Sequence, residues 1–203
     1  MKFHVGLLAA AAVAASVGPG LAADGDQLVI RGDATKAIME QNEITVATAE
    51  AVGKACVEEA VRQGVRVSIA IYDQFGEPVY LYRMDGQGKI AIETAIMKAR
   101  TVLNTGRPSK ATMNAVLTGR SSELRQYSHG NFANSGGLPI IVNGNQLIGA
   151  IGVGGSAPAL PAWSDEICAW RALTKVMGPQ PALLPDIERK AGEGGGASRA
   201  QGR

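Results

Sequence analysis

Aromatic residues are scarce in this chain of 203 residues, which holds three Phe, four Tyr and two Trp. A protein that stacks nucleic-acid bases shows aromatics interleaved with a basic stripe. Here 20 Lys and Arg stand against 18 Asp and Glu, for a formal net charge of +2, and like charges form no block. Nucleic acid is therefore excluded as the expected partner. Histidine is scarcer still, with only His4 and His129. His4 lies in a segment read below as removed on export, so no single subunit can build a site from several histidines. Cysteine is limited to Cys56 and Cys168, a spacing that suits neither a CxxC redox motif nor a zinc site. No apolar run reaches the roughly 20 residues that a membrane-spanning helix needs. What remains is 46% hydrophobic and 19% charged, with 26 Gly, enough to bury one core.

Residues 1–23 read as a secretory signal. Lys2 supplies the positive start, an uncharged Ala/Leu/Val run follows, and Pro19 and Gly20 break it ahead of Leu21-Ala22-Ala23. The protein is thus expected to be exported, periplasmic or secreted, with no membrane insertion once the signal is cleaved. In an oxidising compartment Cys56 and Cys168 can pair as a disulfide, and they can equally remain two buried thiols. Residues 24–44 read as an N-terminal arm, 45–178 as the domain, and 179–203 as a flexible tail rich in Gly and charge.

Within the domain, Ala49, Val52, Cys56 and Ala60 recur at helical spacing over 45–63, and Gly64 caps the end. "VRVSIAIYD" alternates like a strand, with Val65, Val67, Ile69 and Ile71 on one face. "QFGEP" turns and "VYLYRMD" returns. A helix over 89–104 is expected to bury Ile92, Ile96, Ala99 and Leu103, and Ser109 to N-cap a short helix to Thr118. The polar stretch 119–135 has no assigned form. "GGLPIIVNGNQLIGAIGVGG" is a hairpin around Asn143-Gly144, and a last helix runs over 164–177. These elements give an α+β fold, an antiparallel sheet covered by helices.

The ordered set "IAIYDQFGEPVYLYRMDG", "AIMKARTVLNTGRPS", "GGLPIIVNGNQLIGAIGVGG" and "DEICA" resembles the GlcG/HbpS family of haem-associated domains, which is also similar to the C-terminal domain of PduO-type proteins. The resemblance spans about residues 45–177. It implies a profilin-like or PAS-like fold, assembly into homo-oligomers, and haem binding in several members. Axial ligation by threonine or by histidine is implied in different members.

Several residues are candidates for chemistry. His129, in the polar stretch, is the candidate haem-iron ligand, and Tyr127 would share its side of an extended segment. Both can also be solvated loop residues. Thr112, Thr118, Met84, Met97 and Met113 are weaker alternatives as ligands. Lys98 of "MKAR", with Arg100, matches the family's Lys-Ala-Arg segment; off the apolar stripe, it would present its charge on a flank, for a propionate or a substrate carboxylate. Arg83 and Asp85 of "RMDG" lie on one face of a strand, either as an ion pair or with Arg83 as a carboxylate clamp. Arg107 is a second clamp of that kind. Asp73 and Glu77 flank a turn, and the glycines of the last hairpin serve either tight turns or the close approach of a ligand. "GVGG" lacks the pattern of a dinucleotide site.

These residues support an exported haem- or tetrapyrrole-binding protein acting as sensor, carrier or scavenger. Two alternatives stand beside it. One is a small catabolic enzyme or accessory protein acting on a carboxylic acid by isomerisation, hydration or deamination, with Lys98 and Arg83 binding the acid. The other is an oligomeric scaffold without a ligand.

Overall fold

The structure, a computed structural model, describes residues 42–119, 130–155 and 163–187. The expected signal, nearly all of the expected arm, Tyr127, His129 and the tail from residue 188 lie outside the described residues. The described elements run α1 Val46–Arg62, β1 Ser68–Asp73, β2 Pro78–Arg83, α2 Lys89–Thr105, α3 Ser109–Leu117, β3 Gly137–Val142, β4 Gln146–Gly154 and α4 Asp165–Met177.

The strands form one antiparallel sheet in the order β2-β1-β4-β3. Alternation along β1 decides what each face meets. Val67, Ile69 and Ile71, with Leu138, Ile140, Ile151 and Val153, pack under α1 and α4 through Ala49, Val52, Cys56, Ala60, Cys168, Ala172 and Leu173. Ala70, Tyr72 and Ala150 turn the other way, onto Ala95, Ala99 and Val102 of α2. This is the expected α+β sheet covered by helices. Each fully buried Ile or Leu in the larger core contributes about 1.5–3 kcal/mol. Cys56 and Cys168, both wholly buried, are joined in a disulfide that ties α1 to α4, with their Cα atoms 5.2 Å apart.

Local chemistry sets the ends of the elements. Thr45 caps α1 by accepting the Thr48 N–H at 3.1 Å, and Ser164 caps α4 by accepting that of Ile167 at 3.2 Å. Asn143 and Gly144 both have positive φ, 51° and 84°, and with Asn145 they make the three-residue turn between the paired Val142 and Gln146.

Three expectations change. Pro108, not Ser109, precedes α3; Ser109 is its first residue and its hydroxyl is used elsewhere. On α2 the buried residues are Ala91, Ala95, Lys98, Ala99, Thr101 and Val102, while Ile92, Ile96 and Leu103 are only half-buried. The cause is distance: a Cβ added at Gly152, Gly154 or Gly137 would collide with the carbonyl oxygens of Ala95, Ala91 and Lys98. These glycines admit a helix, not a ligand, and at the close approaches the helix carries Ala91, Ala95 and Ala99. Residues 178–187 also depart from a flexible tail. They have no regular structure, yet Leu183 packs on the core, Gln180 bonds to the Ile141 backbone, and the Pro181 carbonyl accepts from Trp170 Nε1 at 3.0 Å.

Candidate functional site

The strand β1 delivers a tight turn at Asp73, whose Oδ1 accepts the N–H groups of Phe75 and Glu77, each at 2.9 Å. Asp73 is thus a turn former. Glu77 is exposed on the far side of that turn. The turn holds Gln74, Phe75 and Gly76 over one flank of α2, where Met97, Arg100, Leu103 and Asn104 face them. Between turn and helix lies a cleft of about 400 Å³, closed at one end by Gly130. That size falls within the range of small-molecule sites, about 300–1,000 Å³.

Its walls are unequal. Met97 and Leu103 are half-buried and Phe75 is 62% exposed at the mouth, an apolar strip that faces the polar side chains of Gln74, Asn104 and Arg100. Arg100 is the one charged residue of the lining. Its guanidinium stands over the buried Tyr72 ring, 5.6 Å from the centroid, which orients the charge without neutralising it. No carboxylate, lysine, cysteine or histidine is among the described residues of the lining.

The rim at Gly130 is held by α2 and α3. Asn104 Nδ2 donates to Asn131 Oδ1 at 2.7 Å, and Thr101 Oγ1 accepts the Phe132 N–H at 2.6 Å. Ser109 Oγ donates to the Asn134 carbonyl at 2.6 Å and accepts the Gly137 N–H at 2.9 Å. His129 is the residue next in sequence to this anchored rim.

Lys98 points away from the cleft. It is 3% exposed, and its Nζ donates to Asp165 Oδ2 at 2.7 Å and to the Val153 carbonyl at 2.8 Å. The expected flank position is therefore corrected: with α2 so close to the sheet, Lys98 lies under the helix and holds the start of α4. A second buried lysine stands beside it. Lys110 Nζ lies 3.2 Å from Glu166 Oε2 and 2.6 Å from Asp186 Oδ1. Burial opposes the Lys110 charge, but Asp186 and Glu166 outweigh it and raise the lysine above its ordinary value. Burial raises the Glu166 carboxyl, against the pull of Lys110. The words "MKAR", "PSK" and "DEICA" thus meet in two buried ion pairs, an arrangement that fixes α2, α3 and α4 together.

The other candidates are dispersed. Arg83, exposed, donates from Nη1 to the Gln87 carbonyl at 2.6 Å, and no Arg83–Asp85 ion pair occurs among the described residues. Asp85 and Arg107 are exposed on separate loops. Met84 Sδ accepts the Val67 N–H at 3.3 Å, a packing role. Thr112 is buried, its hydroxyl without a hydrogen-bond partner among the described residues, and Thr118 Oγ1 donates back to the Asn114 and Ala115 carbonyls. The cleft, the lysines' carboxylate partners and the anchors Thr101, Asn104 and Ser109 are not legible in the sequence. The one signal available was "DEICA", where two acids open a helix and can serve buried bases as well as the helix dipole.

The comparisons with known proteins agree on one group. A family model described as "Haem degrading protein HbpS-like" matches residues 44–174. Protein GlcG of Escherichia coli (strain K12) is 35% identical over 119 residues, 59% of this chain and 83% of GlcG. A crystal structure of a double mutant of Streptomyces reticuli HbpS superposes with a TM-score of 0.60 at 26% identity, covering 85% of this chain and 100% of that one. The crystal structure of a PduOC:haem complex gives 0.53 at 22% identity, covering 68% and 96% of the two chains, a likeness of fold alone.

Proposed function

The chain belongs to the HbpS-like family, and from that premise we propose that it is an exported protein that binds haem in the cleft between α2 and the β1–β2 turn. The observation that carries the reading is the composition of that cleft: an apolar strip of Met97, Leu103 and Phe75 beside polar Gln74 and Asn104, with one oriented cation, Arg100, that no carboxylate pairs among the described residues. A tetrapyrrole has an apolar macrocycle and anionic propionates, and this lining matches both needs. The cleft is small and open at Phe75, so it encloses part of the ligand and leaves the rest exposed. The fold holds haem in the PduOC complex, which supports the choice of ligand at the level of architecture.

Arg100 holds a propionate. For the iron, His129 is the first candidate ligand because its neighbour Gly130 lines the cleft, and the Met97 thioether is the second. Tyr127 is a further oxygen ligand on the same stretch. Bound haem supplies an iron centre that exchanges electrons and small ligands. With no acid–base pair among the described lining residues, the chain's own part is to hold, which fits a sensor, carrier or scavenger. Export is supported by the signal-like residues 1–23 and by the Cys56–Cys168 disulfide, which an oxidising compartment preserves.

The test is a haemin titration followed by absorbance, with Arg100→Ala and His129→Ala beside the wild type. A saturable spectrum is expected in the wild type. Arg100→Ala should bind about tenfold more weakly, the loss of one charge-assisted contact of roughly 1.5–3 kcal/mol screened by solvent. His129→Ala should shift the absorbance bands. Non-saturating absorbance in all three proteins contradicts the reading.

A further inference from the structure

The irregular segment 178–187 ends on α3, where two side chains meet it. Asn114 Nδ2 donates to the Pro185 carbonyl at 3.4 Å, and Lys110 Nζ lies 2.6 Å from Asp186 Oδ1. Lys110 and Asn114 stand four residues apart, so both belong to one face of the helix. From α4, Glu166 Oε2 approaches the same Nζ at 3.2 Å.

The three charged groups differ in exposure. Side-chain exposure is 7% for Lys110, 3% for Glu166 and 91% for Asp186. The lysine is a fixed, buried cation, and one of its two carboxylates arrives from the solvent side. An exposed partner of that kind adds little stability and is readily exchanged. Behind Nζ, two acceptors are idle. Glu166 Oε1 and Asn114 Oδ1 are sealed from solvent, and neither has a hydrogen-bond partner among the described residues. A buried acceptor that receives no donor costs stability, so a purely structural pair has no reason to keep two of them. The charges do not balance either. Lys98 is matched by Asp165, which leaves Lys110 alone facing the two carboxylates of Glu166 and Asp186.

We propose that Lys110, Glu166 and Asn114 form a binding site for a small α-amino acid, with Asp186 as the chain's own stand-in for the ligand carboxylate. The ligand carboxylate takes the place of Asp186 on Lys110 Nζ. Its ammonium, one carbon away, donates to Glu166 Oε1 and Asn114 Oδ1. Charge selects the class of ligand. A plain carboxylic acid only replaces Asp186, and it leaves the excess negative charge and both idle acceptors as they were. A zwitterion removes both faults, because Lys110 then meets a carboxylate and Glu166 an ammonium. None of the three residues lines the cleft beside α2, so the site is independent of the haem reading.

Calorimetry on the full chain tests it, with glycine as the probe and acetate and methylamine as half-ligands. Glycine is expected to bind saturably and both half-ligands much more weakly. Asp186→Asn removes a tethered competitor and should tighten glycine by about tenfold. Glu166→Gln should weaken glycine by about tenfold while circular dichroism shows the fold unchanged. A crystal of Asp186→Asn grown with glycine should show its carboxylate on Lys110 and its ammonium on Glu166. Where Glu166→Gln fails to fold, the comparison of Asp186→Asn with the wild type decides. Absence of saturable glycine binding in Asp186→Asn overturns the proposal, as does acetate binding as tightly as glycine. Water alone on Glu166 Oε1 in that crystal also overturns it.

Discussion

Replacing Lys98 separates structural from ligand-binding roles for the most recognisable lysine of the chain. Its ammonium is shared between Asp165 Oδ2 at 2.7 Å and the Val153 carbonyl at 2.8 Å, with side-chain exposures of 4% for Lys98 and 12% for Asp165. Removing one member of a buried pair costs about 3–5 kcal/mol, because the desolvated partner loses its counter-charge. Lys98→Ala should sit toward the upper end, since it also leaves a void where the four-carbon stem lay. Lys98→Met keeps most of that volume and isolates the charge, so about 3 kcal/mol is expected. Guanidinium unfolding followed by the fluorescence of Trp163 and Trp170 measures both. A cycle of Lys98→Met, Asp165→Asn and the double variant should show coupling of roughly 1–3 kcal/mol. Haemin affinity of folded Lys98→Met should equal that of the wild type. A stability loss below about 1 kcal/mol at unchanged m, combined with lost ligand binding, would refute the structural assignment and return Lys98 to a site.

The disulfide closes a separation of 112 residues. A loop of that length is worth about 5 kcal/mol in the chain-entropy account. Cys56→Ala with Cys168→Ala should lose about 3–5 kcal/mol in denaturant unfolding, and a variant pair as stable as the wild type would show that the core alone holds α1 to α4. Glu59 sets part of the acid limb of stability. The Arg62 guanidinium, opposed by burial and helped by Arg171, holds its carboxyl below the ordinary range. The folded state therefore releases this proton more readily than the unfolded chain. Its stabilisation is complete above the ordinary carboxylate value and is lost as pH falls through the lowered folded value. Glu59→Gln should accordingly be less stable than the wild type at neutral pH, and the gap should close on acidification to about pH 2–3. A gap that stays constant between neutral pH and about pH 3 would show that Glu59 acts through packing alone.

Much of the fold was legible because local rules agreed with the global one. Asn143-Gly144 supplies the two positive-φ residues of its turn, Thr45 and Ser164 stand where caps are needed, and the alternation of Val67, Ile69 and Ile71 names the sheet's larger core. The face of α2 was not legible from hydrophobicity, which ranks Ile92 and Ile96 above alanine. Glycines at 152 and 154 reversed that ranking by drawing the helix against the sheet at Ala91 and Ala95, and "GAIGVGG" carried that signal. Lys98 and Asp165 lie 67 residues apart, and nothing in the sequence joins them. Without that pairing, a lysine off the apolar stripe reads as a free charge. Arg100 stands out in the sequence only as a member of the same short word, and its place over Tyr72 depends on a strand 28 residues earlier, out of reach of any spacing rule.

The most direct test of the central claim is a crystal structure of the protein grown with haemin. The account predicts the macrocycle against Met97 and Leu103, a propionate on Arg100, and iron facing His129 or Met97. Haem bound elsewhere on the chain, or a well-ordered cleft that stays empty at saturating haemin, would contradict it.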